Sequence, residues 1–333
     1  MPTSAAKDPQ DARARRAAFC AALRRADPPL LWDGGLGTAL VARGLDLASE
    51  PPEAWLLARP DEVWSVHAEF AAAGVDVLQT DSFGLVRLHH GGWPGALGPM
   101  PPLQTLLTAS VALAGAAASA APSGSGGGRA SAPPYVVISL GPAANRGLEP
   151  ARLTATYAEL AAAAESLGAT ALHLETQLEP SELRAALVGL AEAAPELPVL
   201  VSFTLSVGQF GLETPLGVPL GRMLQELERA PIDPVAVGVN CSQPARRLRS
   251  AVAALRGWAG PVLPVLAQPQ VGQPAPDCKR PPSPETPERF ARELTQLLDD
   301  GATALGGCCG ARGPHLQAAR EAIALLFPSR STL

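Results

Sequence analysis

The chain has 333 residues, 47% hydrophobic and 17% charged, with a net charge of −5. The length allows one large α/β domain, and the acidic balance offers no basic face for nucleic acid. Five cysteines are too few for a disulfide scaffold and odd in number, which points to a reducing, cytoplasmic setting.

Residues 1–29, MPTSAAKDPQDARARRAAFCAALRRADPP, lack the apolar core of a secretory signal and read as a polar lead-in with one short helix. No run of about 18 apolar residues follows, so no membrane span is expected. From residue 30 to 328, short apolar β-type runs alternate with alanine- and leucine-rich stretches of helical period. The runs are LLWDGG (30–35), VDVLQTDSF (75–83), YVVISLGP (135–142), ALHLETQ (171–177), PVLVSFTL (198–205), VAVGVNCS (235–242), PVLPVLAQP (261–269) and ATALGGCCG (302–310). Gly74, Gly168 and Gly301 each follow a helical stretch and suit its C-terminal stop. Strands alternating with helices imply a parallel sheet, and eight of them in one chain imply a (β/α)8 TIM barrel. A doubly wound open sheet is the structural alternative. Two stretches break the pattern: a low-complexity insertion at 114–134, expected to be flexible, and a proline-rich loop at 267–287.

Barrel chemistry gathers at the C-terminal strand ends. Those ends carry Asp33; Thr80, Asp81 and Ser82; Ser139; Glu175 and Thr176; Ser202 and Thr204; Asn240 and Cys241; and Cys308 and Cys309. The adjacent pair Cys308–Cys309 is a poor disulfide, because neighbouring Cα atoms lie only about 3.8 Å apart. Two inert thiols, a redox pair and two ligands for a soft metal stay open. Three thiols at the ends of the sixth and eighth strands favour the metal, and a three-thiolate zinc site keeps one position open for chemistry. The lone-cysteine alternative is a small buried hydrophobe. Cys20 reads as packed and Cys278 as exposed.

Other candidates carry less. DGGLGT (33–38) fits neither dinucleotide nor P-loop spacing. His67 falls on a helix and reads as packed or solvated; His89 and His90 fall in a glycine-rich surface loop. His173 alternates onto the same strand face as Glu175.

Taken in order, LWDGGLGTAL (31–40), HAEFAAAGVDVLQTDSFG (67–84), SLGP (139–142), LHLETQ (172–177), VSFTL (201–205), GVNCS (238–242) and GATALGGCCG (301–310) resemble the homocysteine S-methyltransferase family. That family is related to betaine–homocysteine methyltransferases and to the homocysteine module of cobalamin-dependent methionine synthases. The resemblance implies a catalytic Zn2+ held by Cys241, Cys308 and Cys309 at the C-terminal mouth of the barrel. It also implies that Asp33 and Glu175 hold the homocysteine ammonium, with Gly34, Gly35 and Thr80 lining the amino-acid pocket. Asn240 stands beside a ligand and can orient it. The chain departs from the family at AQPQVGQP (267–274), at Asp81 and at Ala39, which bears on the donor side.

The implied partners are homocysteine and a methyl donor, with neither nucleic acid nor membrane; self-association stays open. A stand-alone barrel has no room for folate or cobalamin modules, which favours S-methylmethionine or S-adenosylmethionine over methyl-folate, with betaine as an alternative. Trp55 is the candidate aromatic face for such a cation, and Phe83 closes the second strand. A zinc- or thiol-binding barrel without catalysis is the competing reading, and an open-sheet oxidoreductase is a third.

Overall fold

The computed structural model describes residues 9–25, 27–121, 132–143, 147–209, 211–271 and 285–328. Eight strands form one parallel sheet: β1 (Leu30–Leu31), β2 (Val77–Gln79), β3 (Tyr135–Leu140), β4 (Ala171–Gln177), β5 (Val199–Phe203), β8 (Ala236–Asn240), β9 (Val265–Gln268) and β10 (Ala304–Leu305). Each pairs with its neighbour in the order β1-β10-β9-β8-β5-β4-β3-β2. A parallel bridge between Trp32 and Val77, with Asp33 N–H donating to Val77 O at 3.0 Å, joins the two outer strands and closes the barrel. The open-sheet alternative is thereby excluded.

The eight runs read from the sequence each contain one of these strands. A small antiparallel hairpin, β6 (Ser206–Gly208) with β7 (Gly211–Glu213), rides on the loop after β5 and was not foreseen. Helices cover the outer face. Proline occupies the first turn of Pro60–Ala72, Pro150–Ser166, Pro180–Ala193 and Pro287–Thr295, where its missing N–H costs no helical hydrogen bond. Gly74, Gly168 and Gly301 take φ of 84°, 64° and 101°, the left-handed geometry that ends a helix at no steric cost.

Leucine, valine and alanine from the strands and helices fill the layer between them. A second apolar cluster lies inside the barrel near the strand N-termini. There Phe19 and Leu23, from the helix Pro9–Arg25, meet Trp32, Val77 and Tyr135. The helix of the lead-in is therefore packing material. Its Arg16 is buried, pairs with Glu165 at 2.9 Å and donates to Ala169 O at 3.0 Å.

Within the expected insertion at 114–134, residues 114–119 belong to the helix Leu103–Ser119 and Tyr135 opens β3. Residues 122–131, and Cys278 with most of the proline-rich loop, lie outside the described residues. No helix among the described residues is long and apolar enough to cross a membrane.

Candidate functional site

Cys241 follows β8, and Cys308 and Cys309 follow β10. Their sulfurs lie within 4.8 Å of one another, and all three residues are partly exposed. Cys241 Sγ is 3.7 Å from Cys309 Sγ, far beyond a disulfide bond. Two sulfurs bound about 2.3 Å from one tetrahedral zinc would stand about 3.8 Å apart. The spacing and the chemistry of the donor set fit such an ion. Hydrogen bonds from Cys308 and Cys309 pull Cys241 down to about 3, and the same contacts push Cys309 up to about 12 and Cys308 well above its usual range.

The backbone is built to bring the sulfurs together. Cys241 N–H donates to Gln268 O at 3.0 Å, Cys308 N–H to Pro269 O at 2.9 Å, and Val271 N–H to Cys309 O at 2.8 Å. The end of β9 thus laces the two cysteine turns to each other. Cys241, Ser242 and Thr176 have φ of 59°, 53° and 58°. Such left-handed geometry costs a non-glycine residue on the order of 1–3 kcal/mol and persists where its surroundings fix it. Asn240 provides part of that fixing at Thr176: its Oδ1 accepts from Thr176 N–H at 3.1 Å, and its Nδ2 donates to Thr176 Oγ1 at 2.7 Å.

The two glycines after Asp33 have a steric purpose. A Cβ on Gly34 would run into the Ala311 carbonyl, and one on Gly35 would sit 2.7 Å from the Cys308 carbonyl oxygen. Their bareness lets the turn after β1 pass against the two-cysteine turn.

The carboxylates lie across the mouth. Asp33 is buried; its Oδ2 accepts from Gln79 N–H at 2.7 Å, while Oδ1 has no partner among the described residues. Burial holds its carboxyl well above the ordinary range, and the charge of Glu175 adds to this. Burial also pushes Glu175 up to about 7, although Ser139 Oγ and Gln79 Nε2 (3.1 Å) both donate to its Oε1. Gln79, which the sequence reading passed over, thus touches both carboxylates. Its own Oε1 accepts from Gln268 Nε2 at 2.7 Å. Thr80 is buried; its Oγ1 meets Ser82 Oγ at 2.6 Å and accepts from Ser139 N–H at 3.2 Å, so it braces β2 against β3.

Asp81 is buried with Glu53, whose Oε1 accepts from Gly84 N–H at 2.5 Å; burial raises both acids, and Glu53 raises Asp81 further. Trp55, expected to offer a face to a cationic donor, has no exposed surface, and the Arg59 guanidinium already covers its ring at 4.6 Å from the centroid. That face is therefore taken. Phe83 is 41% exposed and lies with its ring against Gly141. His67 is fully buried, and burial lowers it to about 4; it is a packed residue. His90 contacts Thr156 Oγ1 at 3.0 Å in the loop after β2, and Cys20 is partly buried on the lead-in helix.

The sequence pattern of a family described as homocysteine S-methyltransferase matches residues 30–323. The methionine synthases of Mycobacterium tuberculosis and Mycobacterium leprae are each 26% identical over 312 residues, covering 89% of this chain and 24% of theirs. The chain thus spans about a quarter of the length of these relatives. Among solved structures, the homocysteine methyltransferase MmuM from Escherichia coli is similar in its metallated form. It is 25% identical with a TM-score of 0.67, over 88% of this chain and 96% of that one. Its apo form gives a TM-score of 0.64 at 25% identity, over 88% and 95%.

Proposed function

This chain belongs to the homocysteine S-methyltransferase family, and from that premise we propose that it methylates the thiol of homocysteine to give methionine, using zinc held by Cys241, Cys308 and Cys309. The donor we assign is a small onium compound, S-methylmethionine or S-adenosylmethionine. One observation carries the reading: three sulfurs within 4.8 Å of one another share the barrel mouth with two carboxylates whose charge burial disfavours. A soft, anionic sulfur set suits zinc over magnesium or calcium. When bound, zinc supplies the Lewis acidity by which a further thiol loses its proton at neutral pH.

The protein's own residues do the rest. The free Oδ1 of Asp33 and the carboxylate of Glu175 accept the N–H groups of the homocysteine ammonium. An ammonium placed there offsets the burial that keeps both carboxyls high. Gln79 fixes the two carboxylates through its backbone and side-chain N–H groups. Phe83 offers the onium methyl an aromatic face, a contact worth about 0.5–2 kcal/mol. As the methyl carbon bonds to the homocysteine sulfur, its bond to the donor sulfur breaks and the donor leaves as a neutral thioether. That step moves no proton and needs no general base. Positioning is the protein's contribution.

A donor panel with zinc-loaded protein and homocysteine, reading methionine, tests this. S-methylmethionine or S-adenosylmethionine should support turnover, and methyl-folate should give little or none. Failure of every onium donor, betaine included, with protein that binds homocysteine would make the chain a thiol-binding barrel.

A further inference from the structure

Beneath the two halves of the mouth lies a buried histidine that the chemistry above does not use. His173, in the middle of β4, is fully buried, with Nδ1 3.3 Å from Gln79 Nε2 and Nε2 2.9 Å from Ser202 Oγ. The surrounding hydrogen bonds dictate where its proton sits. Thr176 N–H can only donate, so the Asn240 atom facing it at 3.1 Å is the oxygen. Ser202 Oγ lies 2.9 Å from that same oxygen and must spend its single hydrogen there. Ser202 therefore has only lone pairs left for the histidine, and Nε2 must carry the hydrogen.

The other end agrees. The Glu175 carboxylate can only accept, so the Gln79 atom 3.1 Å from its Oε1 is the amide nitrogen, which also faces His173, and Gln79 Oε1 is left to accept from Gln268 Nε2 at 2.7 Å. That nitrogen can only donate, and Nδ1 must accept. An imidazolium would set two donors against each other, in line with burial lowering His173 to about 3.

We propose that His173, as the neutral Nε2–H tautomer, is a positioning residue that joins the carboxylate side of the site to the thiol side. One ring nitrogen holds the Gln79 amide with its N–H toward Glu175. The other, through Ser202 and Asn240, supports the turns at Thr176 and Cys241. The inference rests on the reading of Glu175 as a receiver of the substrate ammonium. Each buried partner left unmatched is costly, so the chain of donors works as a unit.

Two measurements test it. In wild-type protein with labelled histidine, the ¹⁵N shifts of His173 should report a protonated Nε2 and a bare Nδ1 at neutral pH. His173→Phe should raise the homocysteine KM about tenfold at unchanged metal content. His173→Gln can both accept from Gln79 and donate to Ser202, and should recover the KM to within about threefold. An Nδ1–H or imidazolium signature overturns the inference, even where the phenylalanine variant does not fold. So does an unchanged KM in His173→Phe while Glu175→Gln raises it. If neither variant moves the KM, the assignment of Glu175 falls too.

Discussion

The two ends of the barrel interior differ by a single step along each strand. At the N-terminal end the inward side chains include Val77, Val137, Ala171, Leu200 and Leu266, plugged by Phe19 and Leu23. Two residues further on they become Gln79, Ser139, His173, Ser202 and Gln268, all buried. Side chains two apart on a strand share a face, so an apolar layer sits directly beneath a polar one. The fold thereby separates two tasks. The floor needs only to fill space, whereas the polar groups of the layer above are paired, as a medium that punishes unpaired polarity requires, with Gln268 Oε1 the one atom of these five side chains lacking a partner among the described residues.

The contrast can be broken most sharply at the thiols. Cys308→Ala leaves two sulfurs for the ion and should abolish bound metal and turnover together, read by elemental analysis and methionine formation, with the fold retained by circular dichroism. At the floor, Phe19→Ala should do the reverse. Phe19 is fully buried, with ring centroids 5.1 Å from Tyr135 and 6.2 Å from Trp32. Its loss should cost about 3–5 kcal/mol in denaturant unfolding, while the homocysteine KM of the folded fraction stays within twofold.

A smaller effect is expected at the carboxylates. Glu175→Gln should raise the homocysteine KM by the equivalent of about 1.5–3 kcal/mol without altering metal content. The pH dependence follows in sign. Burial raises Glu175 to about 7, so the free protein loses the acceptor of the ammonium as pH falls through that value. Homocysteine affinity should weaken up to about tenfold per unit below it. The glutamine variant should flatten this profile, and a profile that stays equally steep would assign the titration elsewhere. Smallest of all, Phe83→Ala should weaken onium donors by a factor of a few to about thirty and leave homocysteine untouched. Trp55→Ala should act on stability, since Arg59 already occupies that ring.

Much of this was legible in the sequence because strand ends announce themselves. An apolar run followed by Asp33, Glu175, Asn240 or Cys308 marks both the strand and its mouth. The layer beneath was harder to read. Gln79 and Gln268 sit inside apolar runs, and which of them point inward depends on the phase and curvature of the closed sheet. Trp55 is singled out through the family resemblance, which carries no information on burial, and packing leaves it no exposed surface. The left-handed turns at Thr176, Cys241 and Ser242 carry no glycine to reveal them. The hairpin β6–β7 is too short and too mixed in polarity to show a period of two. Asp81 reads as a site acid from its place after β2, yet Glu53, far from it in sequence, is the group it meets.

The proposed function requires that Cys241, Cys308 and Cys309 jointly hold one zinc with a position left for the substrate thiol. X-ray absorption at the zinc edge, on protein with and without homocysteine, tests it most directly. About one zinc per chain is expected, with three sulfurs near 2.3 Å and one lighter neighbour, becoming four sulfurs when homocysteine is added. Fewer than three sulfurs in the free protein, or a zinc environment that homocysteine leaves unchanged, would contradict it.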